Sequence, residues 1–569
     1  MAFFLKKSKL KKGLYLQIYE SFYSQDKKGT AHKSYKTLGY EQDLIKSGIP
    51  DPVTHYTNVV KQMNIEASRI KEENKTRKIA ESPERHLGYF LLQNIYKNLS
   101  VSNYLDLMQS VRNFRFRISD LIEALIYSRV IDPCSKLKTC YDILPKLYEF
   151  YKLSYEQILD GVEYLGNEYE KIIEIFNHQV GIKYSLDTSK TYFDCTNFYF
   201  EIDKEDEFRR NGPSKENRKD PIIGLGLLLD ANQIPIGMKL YPGNESEKPI
   251  IRDIIKELKD RNRISGRTVR VADKGINCAS NIFNALKNND GYLFSKSVKQ
   301  LPEIEKEWIL LKDDYKKVTD NNGTLRYLIK ECIDEFPYTY KDENGKEYTI
   351  MLKEKRVATY NPELAEKKKY EINKMVEKAK ILKASQAKKS EFGECSKYVI
   401  FGCADKKGNA IDGKVKVSIN RKAIDNDLKL AGFNLLVTSE IKMKADDIYS
   451  TYHNLWRIEE SFKMMKSYLD ARPVFLQKPA SIHGHFLICY LSVLLIRLLQ
   501  FKVFKNKYCT EQLINFIREF RVVKLERNNY VNITASSEFI KNLAAETGLP
   551  ITNYFLDESQ VEKILKYKI

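Results

Sequence analysis

Thr191–Ile202 reads TYFDCTNFYFEI, a run of aromatic and β-forming residues around one carboxylate, Asp194. Such a run predicts a buried strand. An ionised carboxylate inside a strand is costly unless it is paired, hydrogen-bonded or metal-bound, so Asp194 is the first candidate site residue. A polar, basic loop follows, RRNGPSKENRKDP from Arg209 to Pro221, and then IIGLGLLLD (Ile222–Asp230) and IPIGMKLYPG (Ile234–Gly243) read as two further strands. The three make an antiparallel meander. EKPIIRDIIKELKD (Glu247–Asp260) is an amphipathic helix, RTVRVADKG a short strand ending at Asp273, CASNIFNALKN a second helix and GYLFSKSV another strand. The order β-β-β-α-β-α-β predicts a mixed sheet covered by helices, an α/β unit.

Around this block the chain changes texture several times. LYLQIYESFY and HKSYKTLGY alternate apolar and polar residues about SQDKKGT, so residues 1–75 are expected to form a small β-rich unit built on a hairpin. Residues 76–185 carry helical spacing, as in SDLIEALIYSRVI and YEKIIEIFNHQV, and with their scattered lysines are expected to bind DNA ends. The α/β core is expected over 186–296 and again over 432–505, with 297–431 an insertion of β-like pieces and one charged helix from Pro362. FNLLVTSE (Phe433–Glu440) restores a buried strand, and KADDIYSTYHNLWRIEESFKMMKSYL (Lys444–Leu469) predicts one long helix. Residues 506–569 form a mixed C-terminal region.

Composition narrows the class. Over 569 residues, 95 Lys+Arg against 76 Asp+Glu leave 95 − 76 = +19 charges, which favours a polyanionic partner such as nucleic acid. A hydrophobic fraction of 43% excludes a mostly disordered chain. Nine scattered cysteines without clustered CxxC and His argue against a zinc module or disulfide scaffold and suit a reducing, cytoplasmic setting. The N-terminus, MAFFLKKSKLKKG, reverses the order of a secretory signal. The longest apolar run, Phe486–Ile496, is short for a membrane span and reads as a buried helix, so no membrane association is expected.

Asp273 ends its strand, where α/β sheets place ligands, and Glu459 lies on the helix after the last core strand. Three carboxylates from two strands and a helix suit a pair of Mg²⁺ (or Mn²⁺) ions, which take oxygen ligands and serve phosphodiester chemistry. Individually each has a plainer reading: a hydrogen-bonded Asp, or a solvated helix face for Glu459. Among other candidates, His483 and His485 lack Cys partners, and the Gly-x-Gly of GLGLLLD opens no helix.

The surrounding motifs carry a resemblance. YHNLWRIEESFKMMK (Tyr452–Lys466) is similar to the Tyr-x2-Arg-x3-Glu-x6-Lys motif of one branch of the DDE transposases of bacterial insertion sequences, with Tyr452, Glu459 and Lys466 in register and Leu455 where that motif has Arg. YFDCTNFYFE and VADKGINCASNI resemble the two Asp motifs, separated by 273 − 194 = 79 residues, with 459 − 273 = 186 more to Glu459. RPVF (Arg472–Phe475) and the segment between the two Asp residues add to the match. The resemblance implies an RNase H-like core with a β-rich insertion. It implies a metal-dependent transposase in which Asp194, Asp273 and Glu459 hold two ions, acting on double-stranded DNA at terminal inverted repeats and target sites. A homodimer on paired ends, at the bacterial nucleoid, would follow. Tyr452 and Lys466, each seven residues from Glu459, are expected on its helix face to hold DNA phosphates. Trp456, Arg457 and the basic loop residues Arg209, Arg210, Lys215, Arg218 and Lys219 are further candidate DNA contacts. The rival expectations are an RNase H-fold nuclease without strand transfer and an inactive DNA-binding relic.

Overall fold

Strand β1 (Ala2–Leu10), β2 (Gly13–Ser24) and β3 (Gly29–Tyr40) form an antiparallel sheet in that order. The expected hairpin is β2–β3; the N-terminal stretch, read for targeting rather than pairing, adds the third strand through the register Ala2↔Ser21 to Leu10↔Gly13. A long helix, α1 (Pro52–Thr76), packs on β1, and Leu16, Ile18 and Val60 are buried. The computed structural model describes residues 2–568 except 25–28, 77–83, 111, 113, 217–218, 262–263, 265, 342–344, 386–388, 403–415, 473 and 526–528. The chain divides into two compact units, 1–82 and 83–569.

The second unit is built on a nine-stranded mixed sheet. Helices α2 (Ile118–Ile131) and α3 (Tyr155–Asn167) precede it. Its first strands are β4 (Lys190–Tyr199), β5 (Ile222–Leu229) and β6 (Pro235–Pro242), followed by α4 (Glu247–Asp260), β7 (Val269–Ala272), α5 (Ala279–Lys287) and β8 (Gly291–Lys296). This is the β-β-β-α-β-α-β order read from the sequence. β4 and β5, and β5 and β6, are antiparallel, whereas β4–β7 and β7–β8 are parallel. Next come β9 (Lys316–Thr319), β10 (Leu325–Lys341), β11 (Glu347–Tyr360), helix α6 (Pro362–Ala384) and β12 (Phe433–Thr438). The sheet order is β9-β10-β11-β12-β8-β7-β4-β5-β6.

Segment 297–431 therefore does not stand apart from the core. Its strands β9–β11 continue the core sheet because β11 pairs with β12 over Lys355↔Thr438 to Tyr360↔Phe433. The remainder, α6 and a two-stranded sheet of Val399–Gly402 and Lys416–Ile419, has small apolar clusters of its own around Ala379 and Ile372.

Helices cover both sheet faces. α4 and α5 cover one, through Ile250, Ile254 and Ile282. The other carries the larger cluster, centred on α7 (Pro479–Arg497), whose residues from Gly484 to Arg497 are all buried. This helix is long and apolar enough to cross a membrane, yet it forms the middle of the unit. α2 and α3 pack against it, so helices of the 76–185 region are structural partners of the core. α3 and α7 meet backbone to backbone: a Cβ on Gly484 would collide with the carbonyl of Val162, and one on Gly166 with that of Ala480. The C-terminal region pairs back onto the start of the unit in a four-stranded sheet ordered Phe555–Asp557, Asn529–Asn532, Arg521–Lys524, Glu84–His86.

The long helix expected over 444–469 is broken. α8 (Ala445–His453) ends in a turn at Asn454–Leu455, α9 (Trp456–Lys463) follows, and Met464–Tyr468 forms a π-turn. No Gly or Pro marks the break. Both irregularities change the angular step, so the seven-residue spacings of Tyr452, Glu459 and Lys466 no longer run along one regular helix.

Candidate active site

Register brings the two aspartates together. Phe193 lies beside Ala272 in the parallel pair β4–β7, so the next residues, Asp194 and Asp273, are neighbours at the same level. Tyr192 and Phe198 on β4, and Val269 and Val271 on β7, belong to the larger apolar cluster. Strand alternation then aims both aspartates at the sheet face on which α9 packs.

The Tyr452 hydroxyl, at the end of α8, donates to Asp273 Oδ1 at 3.0 Å. Burial and the Asp273 charge push the phenol well above its usual range, so it stays protonated and able to donate. Asp194 is 24% exposed and accepts from the Cys195 N–H at 2.7 Å. Burial, reinforced by the charges of Glu247 and Asp273, holds its carboxyl up at about 6. The nearest cation is the Lys215 ammonium, 4.0 Å from Asp194 Oδ1 and 3.2 Å from Glu247 Oε1. Two clefts flank the pair. One of about 460 Å³ is lined by Asn197, Lys215, Tyr241 and Glu247, and one of about 560 Å³ by Lys274, Lys296, Lys299, Lys367, Lys368 and Tyr452.

Glu459 is placed differently. It is exposed on α9 and makes no hydrogen bond or ion pair with the described residues. Its neighbour Glu460 turns inward to Arg497 (3.3 Å), a fully buried guanidinium on α7 that also bonds Ser461 and the Arg457 carbonyl. That anchor fixes the rotation of α9 and leaves Glu459 as its free carboxylate. Among the described residues no three His, Cys, Asp or Glu side chains are gathered closely enough to hold a metal ion. The structure thus unites two of the three expected ligands. The pair itself fits a divalent cation: its donors are all oxygen, and the lifted Asp194 carboxyl marks a spot short of positive charge.

The remaining candidates divide. Lys466 bonds Glu216 at 3.2 Å, which Arg472 also holds, and it lies 5.4 Å from the Phe198 ring centre. Arg457 is taken up internally, paired with Glu460 at 3.0 Å and lying 4.0 Å from the Trp456 ring centre, while Trp456 is 43% exposed. The Arg209 guanidinium is likewise held by Asp206 at 2.5 Å and lies over Phe200. In both arginines a carboxylate of the fold already pairs the charge. Arg210 pairs with Glu205 at 3.6 Å, Lys219 is exposed, and Arg218 lies outside the described residues. Sequence reading missed Glu247, Glu216 and Arg472 as neighbours of the site. The only signal was the position of Glu247 just after the PGNES turn and of Arg472 in the RPVF stretch.

The family model for the transposase DDE domain matches residues 191–495, more than half of the chain. The chain belongs to the DDE transposase domain family. The matched segment starts in β4, three residues before Asp194, and ends within α7, so it contains the aspartate pair, Tyr452 and Glu459. No curated protein matches the chain. Membership in this transposase family agrees with the mixed α/β architecture and with a site of paired carboxylates at the ends of adjacent parallel strands.

Proposed function

We propose that this member of the transposase family cleaves and joins DNA strands at the ends of an insertion sequence. The observation that carries the reading is the Asp194–Asp273 pair at the ends of parallel neighbours, capped by the Tyr452 hydroxyl. The strand order β6-β5-β4-β7-β8, three antiparallel and then two parallel, supports an RNase H-like core. Asp194, Asp273 and Glu459 would hold Mg²⁺ (or Mn²⁺), two ions in all, which when bound supply Lewis-acid stabilisation of the scissile phosphate.

The chain's own groups account for positioning. Tyr452 orients Asp273 by its hydrogen bond, and Lys215 balances Asp194 and Glu247. The lysines of the larger cleft offer counter-charge to a DNA backbone running beside the pair. Water would open a phosphodiester at the element's end, and the freed 3′-OH would displace a phosphodiester of target DNA, both by in-line substitution without a protein nucleophile. A homodimer bridging two terminal inverted repeats suits this sequence of steps.

The test is cleavage of a plasmid bearing the element's own ends, supplied with Mg²⁺. Asp194→Ala, Asp273→Ala and Glu459→Ala should each abolish cutting while retaining end binding. Normal cutting by two of the three variants overturns the assignment. Joining of a supplied 3′-OH end separates a transposase from a nuclease of the same fold. The separation of Glu459 from the aspartates, with Leu455 in the Arg position, favours one second reading, a DNA-binding relic. Binding without Mg²⁺-dependent nicking by the unaltered protein would establish it.

A further inference from the structure

The loop between β4 and β5 lays two oppositely charged neighbours, Lys215 and Glu216, on the aspartate site. Its base is fixed. Arg210 and Ile222 exchange backbone hydrogen bonds of 3.0 and 2.8 Å, and Gly212 lies so close to Gly243 that a Cβ there would collide with the Gly243 carbonyl. The tip, Ser214–Glu216, is held more lightly. Asn197 of β4 donates to the Pro213 carbonyl at 3.2 Å and accepts from the Lys215 N–H at 3.0 Å, both in exposed surroundings. Exposed hydrogen bonds exchange with water at little net cost, so the tip can lift without disturbing the sheet.

Charge keeps the tip down. The Lys215 ammonium lies 4.0 Å from Asp194 and 3.2 Å from Glu247 and donates to the Cys195 carbonyl, so three oxygens face one cation. The next residue does the reverse. Glu216 Oε1 accepts from Lys466 at 3.2 Å and its Oε2 pairs with Arg472, so two cations face one anion. Lys466 comes from the π-turn after α9 and lies 5.4 Å from the Phe198 ring centre; the Arg472 guanidinium lies 5.4 Å from that of Tyr199. Both cations therefore sit at the end of β4, a few residues beyond Asp194. Among the described residues Glu216 is the only carboxylate that pairs with either.

Each seat suits a ligand of the reaction. A divalent cation takes carboxylate and carbonyl oxygens, and a phosphodiester takes a lysine beside an arginine. Lys215 and Glu216 bring the same two signs of charge to the same two places. A metal ion on Asp194 repels Lys215, and a phosphate on Lys466 and Arg472 displaces Glu216. Because the two residues are consecutive, one departure carries the other. The side chains of Lys215 and Glu216 are 41% and 31% exposed, and ion pairs open to water to this extent contribute little, so these contacts can be exchanged.

We propose that Lys215–Glu216 is a displaceable plug, an internal mimic of a cation and a phosphate that holds the site self-neutralised until a divalent ion and DNA replace it together. It rests on the metal-dependent reading above and adds a regulatory contact to it. A plug seated about nine-tenths of the time lowers each apparent affinity about tenfold. The test uses the full-length protein and keeps two probes apart: Mn²⁺ without DNA, followed by electron paramagnetic resonance, and a fluorescein-labelled duplex of the element's end in EDTA, followed by anisotropy. Glu216→Gln removes a negative charge, which by electrostatics alone weakens cation binding; with the plug loosened, Mn²⁺ should instead bind about tenfold tighter. Lys215→Met removes a positive charge, which by electrostatics alone weakens DNA binding; the duplex should instead bind about tenfold tighter. Both positions are exposed, so folding is spared. Unchanged or weaker binding in either experiment overturns the plug. Asp194→Asn should abolish Mn²⁺ binding, which separates the two failures. If no form binds Mn²⁺, the metal-dependent reading falls and the plug with it; binding lost in Asp194→Asn yet unchanged in Glu216→Gln overturns the plug alone.

Discussion

The Tyr452 hydroxyl is the contact most open to a single-atom test. Its donation to Asp273 Oδ1 is one of the few bonds linking the helical segment 444–469 to the sheet carboxylates. A hydrogen bond to a charged group contributes about 1.5–3 kcal/mol, so Tyr452→Phe should slow strand cleavage roughly 10- to 100-fold. DNA affinity should hold, because the lysines of the clefts remain; single-turnover nicking and anisotropy measure the two separately. Cleavage at the unaltered rate would leave Tyr452 a packing role alone. Asp194 and Asp273 stood out in the sequence because a carboxylate amid or just after an apolar strand is anomalous. Glu247 and Glu216 did not, since charged residues in loops and at helix starts read as solvated until the fold returns them to the strand ends. For Arg209 and Arg457 the charge was legible, but the carboxylates that pair with it, Asp206 and Glu460, were not. Leu455 packs against the larger apolar cluster where the motif has Arg, so this position serves the core here.

At the level of elements, periodicity predicted the strands of the α/β block well because each carries a run of β-formers ended by a turn. It failed where one helix became α8, α9 and a π-turn, since neither Gly nor Pro announces the interruption. The crossing of α3 and α7 was equally hidden, because Gly484 sits in an apolar helix where glycine looks merely unfavourable. Its reason is spatial: the Val162 carbonyl occupies the volume of a side chain. Gly484→Ala gains helix propensity but forces two well-packed helices apart. Overpacking of this kind costs about 1–3 kcal/mol, and the backbone neighbour has little room to yield. The denaturant midpoint of the variant should fall, read by tryptophan fluorescence. A midpoint equal to or above the unaltered protein would show that the helices separate freely.

Across the whole molecule, stability should bear the mark of a buried carboxyl far from the aspartate pair. Glu123 on α2 accepts from Tyr127 at 3.1 Å and Tyr151 at 3.4 Å. Burial, reinforced by the nearby Glu149 charge, lifts it from 4.5 to about 7. The native state therefore binds this proton more tightly than the unfolded chain does. Between about pH 4.5 and 7 the folded form holds more protons, so the contribution of Glu123 to stability declines as pH rises through that window. Above it the ionised group lies in an apolar setting with only hydroxyl partners. Glu123→Gln keeps the shape and the acceptor oxygen for both tyrosines but removes the ionisation. The variant should be the more stable at pH 8, by on the order of 1–3 kcal/mol, and should approach the unaltered protein by pH 5. Paired thermal melts at the two pH values cancel the titrations common to both proteins, leaving Glu123 as the source of any difference. A gap that is the same at both pH values would mean that Glu123 is charged in the folded state throughout, compensated by a cation on that side of the helical layer.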